Sequence, residues 1–201
     1  MRLENITKVY TGETGTVKVF DRFTLELPDS GVIWLMGASG CGKTTLLRII
    51  AGLEDCEGTV TGRPTEVSAV FQENRLFEQL SAEGNCILAM GKVSGKNVSR
   101  EKVREMLLSV GIASEDISRP VSKFSGGMKR RVAIVRALCH AQQKSCRAVL
   151  MDEPFTGIDG DSRILTGRLI SETLGGRLFI GVTHREEDTE LVKGKKLIIN
   201  S

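Results

Sequence analysis

Aromatic side chains are scarce, at 4% of 201 residues with one Trp and one Tyr. This argues against a nucleic-acid partner, because base-stacking platforms are built from aromatic rings. Charge of one sign is scarce too. Lys and Arg number 28 against 25 Asp and Glu, a net charge of +3. That is too little to draw nucleic acid or a membrane surface by itself. Long apolar runs are missing. Val32-Ile33-Trp34-Leu35-Met36 and Cys86-Ile87-Leu88-Ala89-Met90 are the longest, far short of the ~20 residues that span a bilayer. The opening MRLENITKVY lacks an apolar stretch of the secretory kind, so no export signal is expected. Five cysteines (Cys41, Cys56, Cys86, Cys139, Cys146) form no Cys-x-x-Cys pair and are odd in number, which fits a reduced, cytoplasmic compartment. No repeat or low-complexity tract is present, which sets aside solenoids and tandem duplications. A role at a membrane therefore requires a separate protein that crosses it.

Glycine is in excess, at 22 residues, or roughly 11% against a usual ~7%. Much of the excess lies in short clusters that mark tight turns and close backbone approach to ligands. With 40% hydrophobic and 26% charged residues, the chain reads as one soluble globular domain, 1–201, burying roughly 70% of its unfolded surface. Three segments share one form, a short apolar strand ending in polar or glycine-rich residues. They are Val32 to Met36 before GASGCGKTT, Ala148 to Met151 before DEP, and Leu178 to Val182 before TH. Such runs read as parallel strands buried on both faces. Helical patterns lie between them: Leu46, Leu47, Ile49, Ile50 and Leu53, with Gly52 and Gly58 as stops, and Val132, Val135 and Leu138 after SGGMKRR. The alternation predicts an α/β fold with its chemistry at the carboxyl ends of the strands. The first thirty residues alternate apolar and polar, which predicts antiparallel strands. Residues from about 73 to 123 read as a helical insertion between core segments 1–72 and 124–201, with Val103, Met106, Leu107 and Val110 on its buried face.

Gly37-Ala38-Ser39-Gly40-Cys41-Gly42-Lys43-Thr44 matches G-x-x-x-x-G-K-[ST] without a mismatch. Its glycines let successive N–H groups curl around phosphate oxygens at a helix start. Lys43 brings a positive charge to the β- and γ-phosphates, and the Thr44 hydroxyl completes a Mg²⁺ shell. Asp152 and Glu153 end a buried strand. Asp152 is placed to hold the metal, and Glu153 to polarise the water that attacks the γ-phosphate.

These motifs, with four more in order, resemble the ATP-binding cassette of ABC transporters over nearly the whole chain. GASGCGKTT resembles Walker A and MDEP resembles Walker B with the catalytic glutamate. Phe71-Gln72-Glu73 resembles the Q-loop, Phe124-Ser125-Gly126-Gly127-Met128 the signature, Phe155-Thr156-Gly157-Ile158-Asp159 the D-loop, and Thr183-His184 the switch histidine. The resemblance implies a P-loop NTPase fold of the ABC ATPase type, with an N-terminal antiparallel β subdomain and an inserted α-helical subdomain. It implies ATP and Mg²⁺ bound by Gly37, Ala38, Ser39, Gly40, Cys41, Gly42, Lys43, Thr44 and Thr45, with Tyr10 stacked on adenine. Thr44, Gln72 and Asp152 serve the metal; Glu153, His184 and Gln72 serve hydrolysis. Ser125, Gly126 and Gly127 form a second anion site, which closes over the γ-phosphate held by another subunit in a head-to-tail dimer.

The implied function is an ATPase subunit, peripheral on the inner face of the membrane, powering a separate transmembrane permease. Gln72 to Ala89 is the expected docking region, where Leu76, Phe77 and Leu80 either meet the permease or pack in the core. The alternative is a soluble ABC-type ATPase outside transport, disfavoured by the single cassette, the modest charge and the absence of a long heptad insertion. SGGM and DEPF resemble importers of nitrate, sulfonate and taurine-like compounds. Phe124 for Leu, Gly157-Ile158 for Ala-Leu and Arg185 for Asp depart from the family pattern without removing a phosphate, metal or base contact. The Arg185 change falls near the implied dimer interface. Only 17 residues follow His184 (201 − 184), so no regulatory C-terminal domain is expected. Lys129-Arg130-Arg131 reads as a solvated helix face, and Cys41 as a low-pKa thiol open to oxidation or alkylation.

Overall fold

A computed structural model describes residues 1–12, 15–90 and 99–199. Two sheets organise it. Strands β1 (Arg2–Gly12), β2 (Gly15–Glu26) and β4 (Glu57–Thr61) form an antiparallel sheet in the order β2-β1-β4. The expected antiparallel strands of the first thirty residues are therefore present as β1 and β2, with a third strand joined to them. Strands β3 (Gly31–Met36), β5 (Val67–Val70), β6 (Ala148–Asp152), β7 (Leu178–Val182) and β8 (Lys195–Ile198) form a parallel sheet, ordered β5-β6-β7-β3-β8. Its central strands β6 and β7 are buried at every residue.

Alternate side chains of the parallel sheet enter two apolar clusters. Ile33, Leu35, Leu150 and Ile180 pack with α1 (Lys43–Ile50) and with Leu3, Ile6 and Phe20 of the antiparallel sheet. Trp34, Val149, Met151 and Phe179 pack with helices α2 (Ala82–Ala89), α3 (Arg100–Ser109), α4 (Gly126–Ala141) and α5 (Gly160–Thr173). The Trp34 ring meets Phe179 edge-on at 5.3 Å, and its Nε1–H donates to the Val192 carbonyl at 2.8 Å. Val103, Met106, Leu107 and Val110 are fully or nearly fully buried, as the period predicts. The described part of the insertion shares this core. The stretch of it at 91–98 lies outside the described residues.

Local chemistry sets the helix starts. Ser81, Ser99, Ser125 and Asp159 cap α2, α3, α4 and α5, each side chain accepting an N–H from the first turn. Two expectations fail at the end of α1. Gly58 lies inside β4 and not at a helix stop, and Leu53 is outside the helix and 64% exposed. The helix has already closed at Ile50, with Gly52 in the left-handed region at φ 71°, where a glycine ends a helix at least cost.

Candidate nucleotide and catalytic site

Parallel register brings the strand ends together. Leu35 pairs with Val182, Val182 with Asp152, and Met151 with Val70. The segments that follow β3, β7, β6 and β5 therefore open on one edge of the sheet. They are the glycine loop, Thr183-His184, Glu153-Pro154 and Phe71-Gln72. A cleft of about 410 Å³ lies there, lined by Ser39, Gly40, Gly42, Lys43, Thr44, Thr45, Gln72, Asp152, Glu153 and His184, with Val19 and Val182 as apolar walls.

The helix at the floor of this cleft is unlike the four with side-chain caps. Gly42, at φ 88°, begins α1 with no side-chain cap, and the first turn carries no acidic residue. Its N–H groups and the positive end of its dipole are left for an anion. A Cβ on Gly42 falls 2.5 Å from Val19 Cγ1 and 2.7 Å from Phe20 Cζ, so both backbone angle and space require glycine. Lys43 is 8% exposed and its ammonium donates to the carbonyls of Gly37 (2.8 Å) and Ala38 (2.7 Å). The expected loop residues Gly37, Ala38 and Cys41 support the loop and do not line the cleft. Cys41 is 8% exposed, with the Lys43 ammonium 3.6 Å from its sulfur. Enclosure by the loop removes it as an accessible handle for oxidation or alkylation.

The Thr44 hydroxyl donates to Asp152 Oδ2 at 2.7 Å, while Asp152 Oδ1 is buried with no partner. Burial raises the Asp152 pKa, opposed by the Thr44 hydrogen bond. A hydroxyl and a carboxylate with one orphaned oxygen fit Mg²⁺, which keeps several waters and takes few protein ligands. Among the described residues no group of three or more His, Cys, Asp or Glu could hold a metal alone.

Glu153 is one of four non-glycine residues with positive φ among the described residues, at 47°. Its N–H donates to Val182 O at 2.9 Å, and its carboxylate is held at both oxygens. His184 Nδ1 lies 3.0 Å from Oε1, and the Thr156 hydroxyl donates to Oε2 at 3.0 Å. The strained backbone turns this carboxylate into the cleft. Gln72 stands exposed at the rim. Tyr10 is outside the lining but adjoins it. Its hydroxyl is 3.4 Å from Thr45 Oγ1, its ring is 37% exposed, and the Lys8 ammonium sits 4.9 Å from the ring centroid. Lys8 is itself paired with Glu54 at 2.8 Å.

Ser125, Gly126 and Gly127 do not line this cleft. Ser125 Oγ accepts the Met128 N–H at 3.2 Å, and a Cβ on Gly127 falls 2.4 Å from Gly157 O. The expected solvated face at 129–131 is overturned. Arg130 and Arg131 are 4% and 7% exposed, and Lys129 pairs with Glu78 at 3.0 Å. Packing encloses α4 on most sides, so its arginines spend their donors on carbonyls. Arg131 donates to Val110 (2.6 Å) and Gly111 (2.9 Å), while Arg130 donates to Phe71, Asp152, Glu153 and Pro154. Arg130 and Val19 are site neighbours that motif reading misses, and the D-loop motif that contains Thr156 does not show that its hydroxyl holds Glu153.

Among the described residues no helix is long and apolar enough to cross a membrane. Residues 20–156 match the profile of the ABC transporter family. The aliphatic sulfonates import ATP-binding protein SsuB of Bacillus cereus is 37% identical over 169 residues, covering 80% of this chain and 64% of that protein. SsuB 2 of Rhodococcus jostii is 34% identical over 192 residues, covering 92% and 74%. The chain thus spans about 64% of the length of the Bacillus relatives it matches. The dimeric structure of MJ0796, a bacterial ABC transporter cassette, superposes with a TM-score of 0.82 at 24% identity, covering 98% of this chain and 93% of that one. A post-hydrolysis state of the same cassette, bound to ADP and Pi, gives the same TM-score and identity. With this fold and a profile match over residues 20–156, the chain belongs to the ABC transporter family.

Proposed function

We propose that this chain binds Mg²⁺–ATP, hydrolyses it, and supplies the energy to a separate membrane-spanning permease that imports small sulfonate-type anions. The observation that carries the reading is the convergence of Gln72, Asp152, Glu153 and His184 on the cleft floored by Ser39 to Thr45. The uncapped start of α1 takes the phosphates, and Lys43 leaves its loop carbonyls to neutralise the β/γ oxygens. Thr44 and Asp152 hold the metal, with Gln72 reaching its shell. Bound Mg²⁺ offsets negative charge on the β- and γ-phosphates during transfer. Glu153, fixed by Thr156 and His184, takes the proton of the attacking water; Gln72 and His184 orient water and γ-phosphate. Tyr10 stacks on adenine, with Lys8 and Glu54 behind it.

Ser125, Gly126 and Gly127 serve the nucleotide of a second copy, since they do not line their own cleft. Two copies then close head to tail over two ATPs, and hydrolysis releases them. The cassette works as one domain, 1–201, with its helical insertion at about 73–123 turned to the permease. Phe77 is 57% exposed and Leu80 38%, apolar side chains in the segment that follows Gln72, which favours transport over a free-standing ATPase. Leu76 packs against the core and is not part of that surface. The protein is placed on the cytoplasmic face of the membrane, held there by the permease.

The test is Glu153→Gln with Mg²⁺–ATP on gel filtration. The variant should elute as a dimer with ATP and as a monomer without it, while the unaltered chain hydrolyses ATP. A monomer with saturating ATP overturns the sandwich.

A further inference from the structure

Arg130 lies in the second turn of α4 and is 4% exposed. A guanidinium carries five N–H donors in a planar fork, and each has an acceptor here. Nε donates to Pro154 O at 3.3 Å. One terminal nitrogen donates to Phe71 O and to Asn74 Oδ1 (3.3 Å), the other to Asp152 O and to Glu153 O (3.0 Å). Four of these acceptors are main-chain carbonyls just at or past the ends of β5 and β6, which lie side by side. The fifth belongs to the residue two beyond Gln72. Arg136, on the same helix, donates to Arg75 O (2.6 Å) and Asn74 O (2.9 Å) but does not reach 152–154.

Burying a cation without a hydrogen-bonded carboxylate is costly. Burial lowers the Arg130 pKa to about 10, opposed by the charges of Asp152 and Glu153, so the group stays charged at neutral pH. A neutral side chain of similar size escapes that cost but offers fewer donors. What the arginine supplies is a rigid link between two loops that, among the described residues, share no other side-chain hydrogen bond.

We propose that Arg130 is a positioning residue for the hydrolysis proposed above, its fork fixing the Gln72 loop relative to Glu153. Because α4 begins at the Ser125–Gly127 turn, any displacement of that helix moves both loops together. The proposal rests on reading the cleft as an ATPase site.

Arg130→Lys keeps the charge and stem, but its three donors share one atom and cannot span both loops. In this variant the affinity for a fluorescent ATP analogue should stay within roughly twofold. Its kcat should fall ~10- to 100-fold, the order that a ~1 Å misplacement costs. Hydrogen exchange without nucleotide should rise together in peptides covering 71–75 and 152–156. Unchanged kcat, a loss of affinity equal to the loss of turnover, or faster exchange in only one of the two segments each overturns it. Arg130→Gln should behave as Arg130→Lys; if it fails to fold, Asn74→Ala, which removes the one side-chain acceptor, should still loosen 71–75 without weakening nucleotide binding. If the unaltered chain does not hydrolyse ATP, the ATPase reading fails, while the exchange measurement still decides whether Arg130 links the loops.

Discussion

A Cβ added at Gly127 falls 2.4 Å from the Gly157 carbonyl oxygen, whereas one added at Gly126 meets nothing within 4 Å. The two glycines are adjacent in one motif, yet only the second is required by packing within the chain. Gly127→Ala should therefore lower stability by ~1–3 kcal/mol, the usual cost of an overpacked contact. Gly126→Ala should stay within ~0.5 kcal/mol but weaken the ATP-driven pairing proposed above, in which this open face meets a second copy's phosphate. Urea unfolding of both variants checks the first point; equal stabilities refute the packing account. The sequence marks 125–127 as a glycine-rich helix start and a phosphate turn. It does not say which glycine faces its own chain, because Gly157 comes within reach only through the fold. The same holds for Arg130, whose acceptors come from residues 71–74 and 152–154.

Helix α2 shows how an element presents a surface. Asn85, 0% exposed, accepts the Phe77 N–H at 2.8 Å and donates to the carbonyls of Phe77 (3.1 Å) and Ser81 (3.0 Å). These bonds hold the turn that leaves Phe77 and Leu80 in solvent. Asn85→Ala leaves the part-buried Phe77 N–H without its acceptor, so stability should fall by ~1–3 kcal/mol. The urea midpoint measures this, and an unchanged midpoint shows that the turn holds without the amide. Strands β3, β6 and β7 and helices α1, α3 and α4 are legible in the sequence because each has a strong apolar period or run. Strands β5 and β8 are not: VSAV is four residues long, and KKLI opens on two exposed lysines. Their identity comes from parallel neighbours distant in the chain, and no local pattern encodes that pairing.

For the whole molecule, nucleotide that binds only the folded state must raise its stability by mass action. At ~100 times Kd the gain is ~2.7 kcal/mol, which in a chain of about this length moves Tm by ~5–11 °C. Thermal melts with Mg²⁺ and ATP should show that shift, and Lys43→Ala should abolish it. An unshifted melt of the unaltered chain at saturating nucleotide refutes binding in this cleft. The sequence alone determined the α/β fold, the phosphate loop, the acidic strand end and the order of the motifs, because these rest on local periods and on residues adjacent in the chain. Tertiary structure decided the rest. It set the burial of the 130–131 arginines, the pairing of Glu153 with His184 across 31 positions, and the orphaned Asp152 oxygen. It also left the serine–glycine turn outside the cleft. Each depends on strand order and on which groups water can reach, and those are fixed only when distant segments pack.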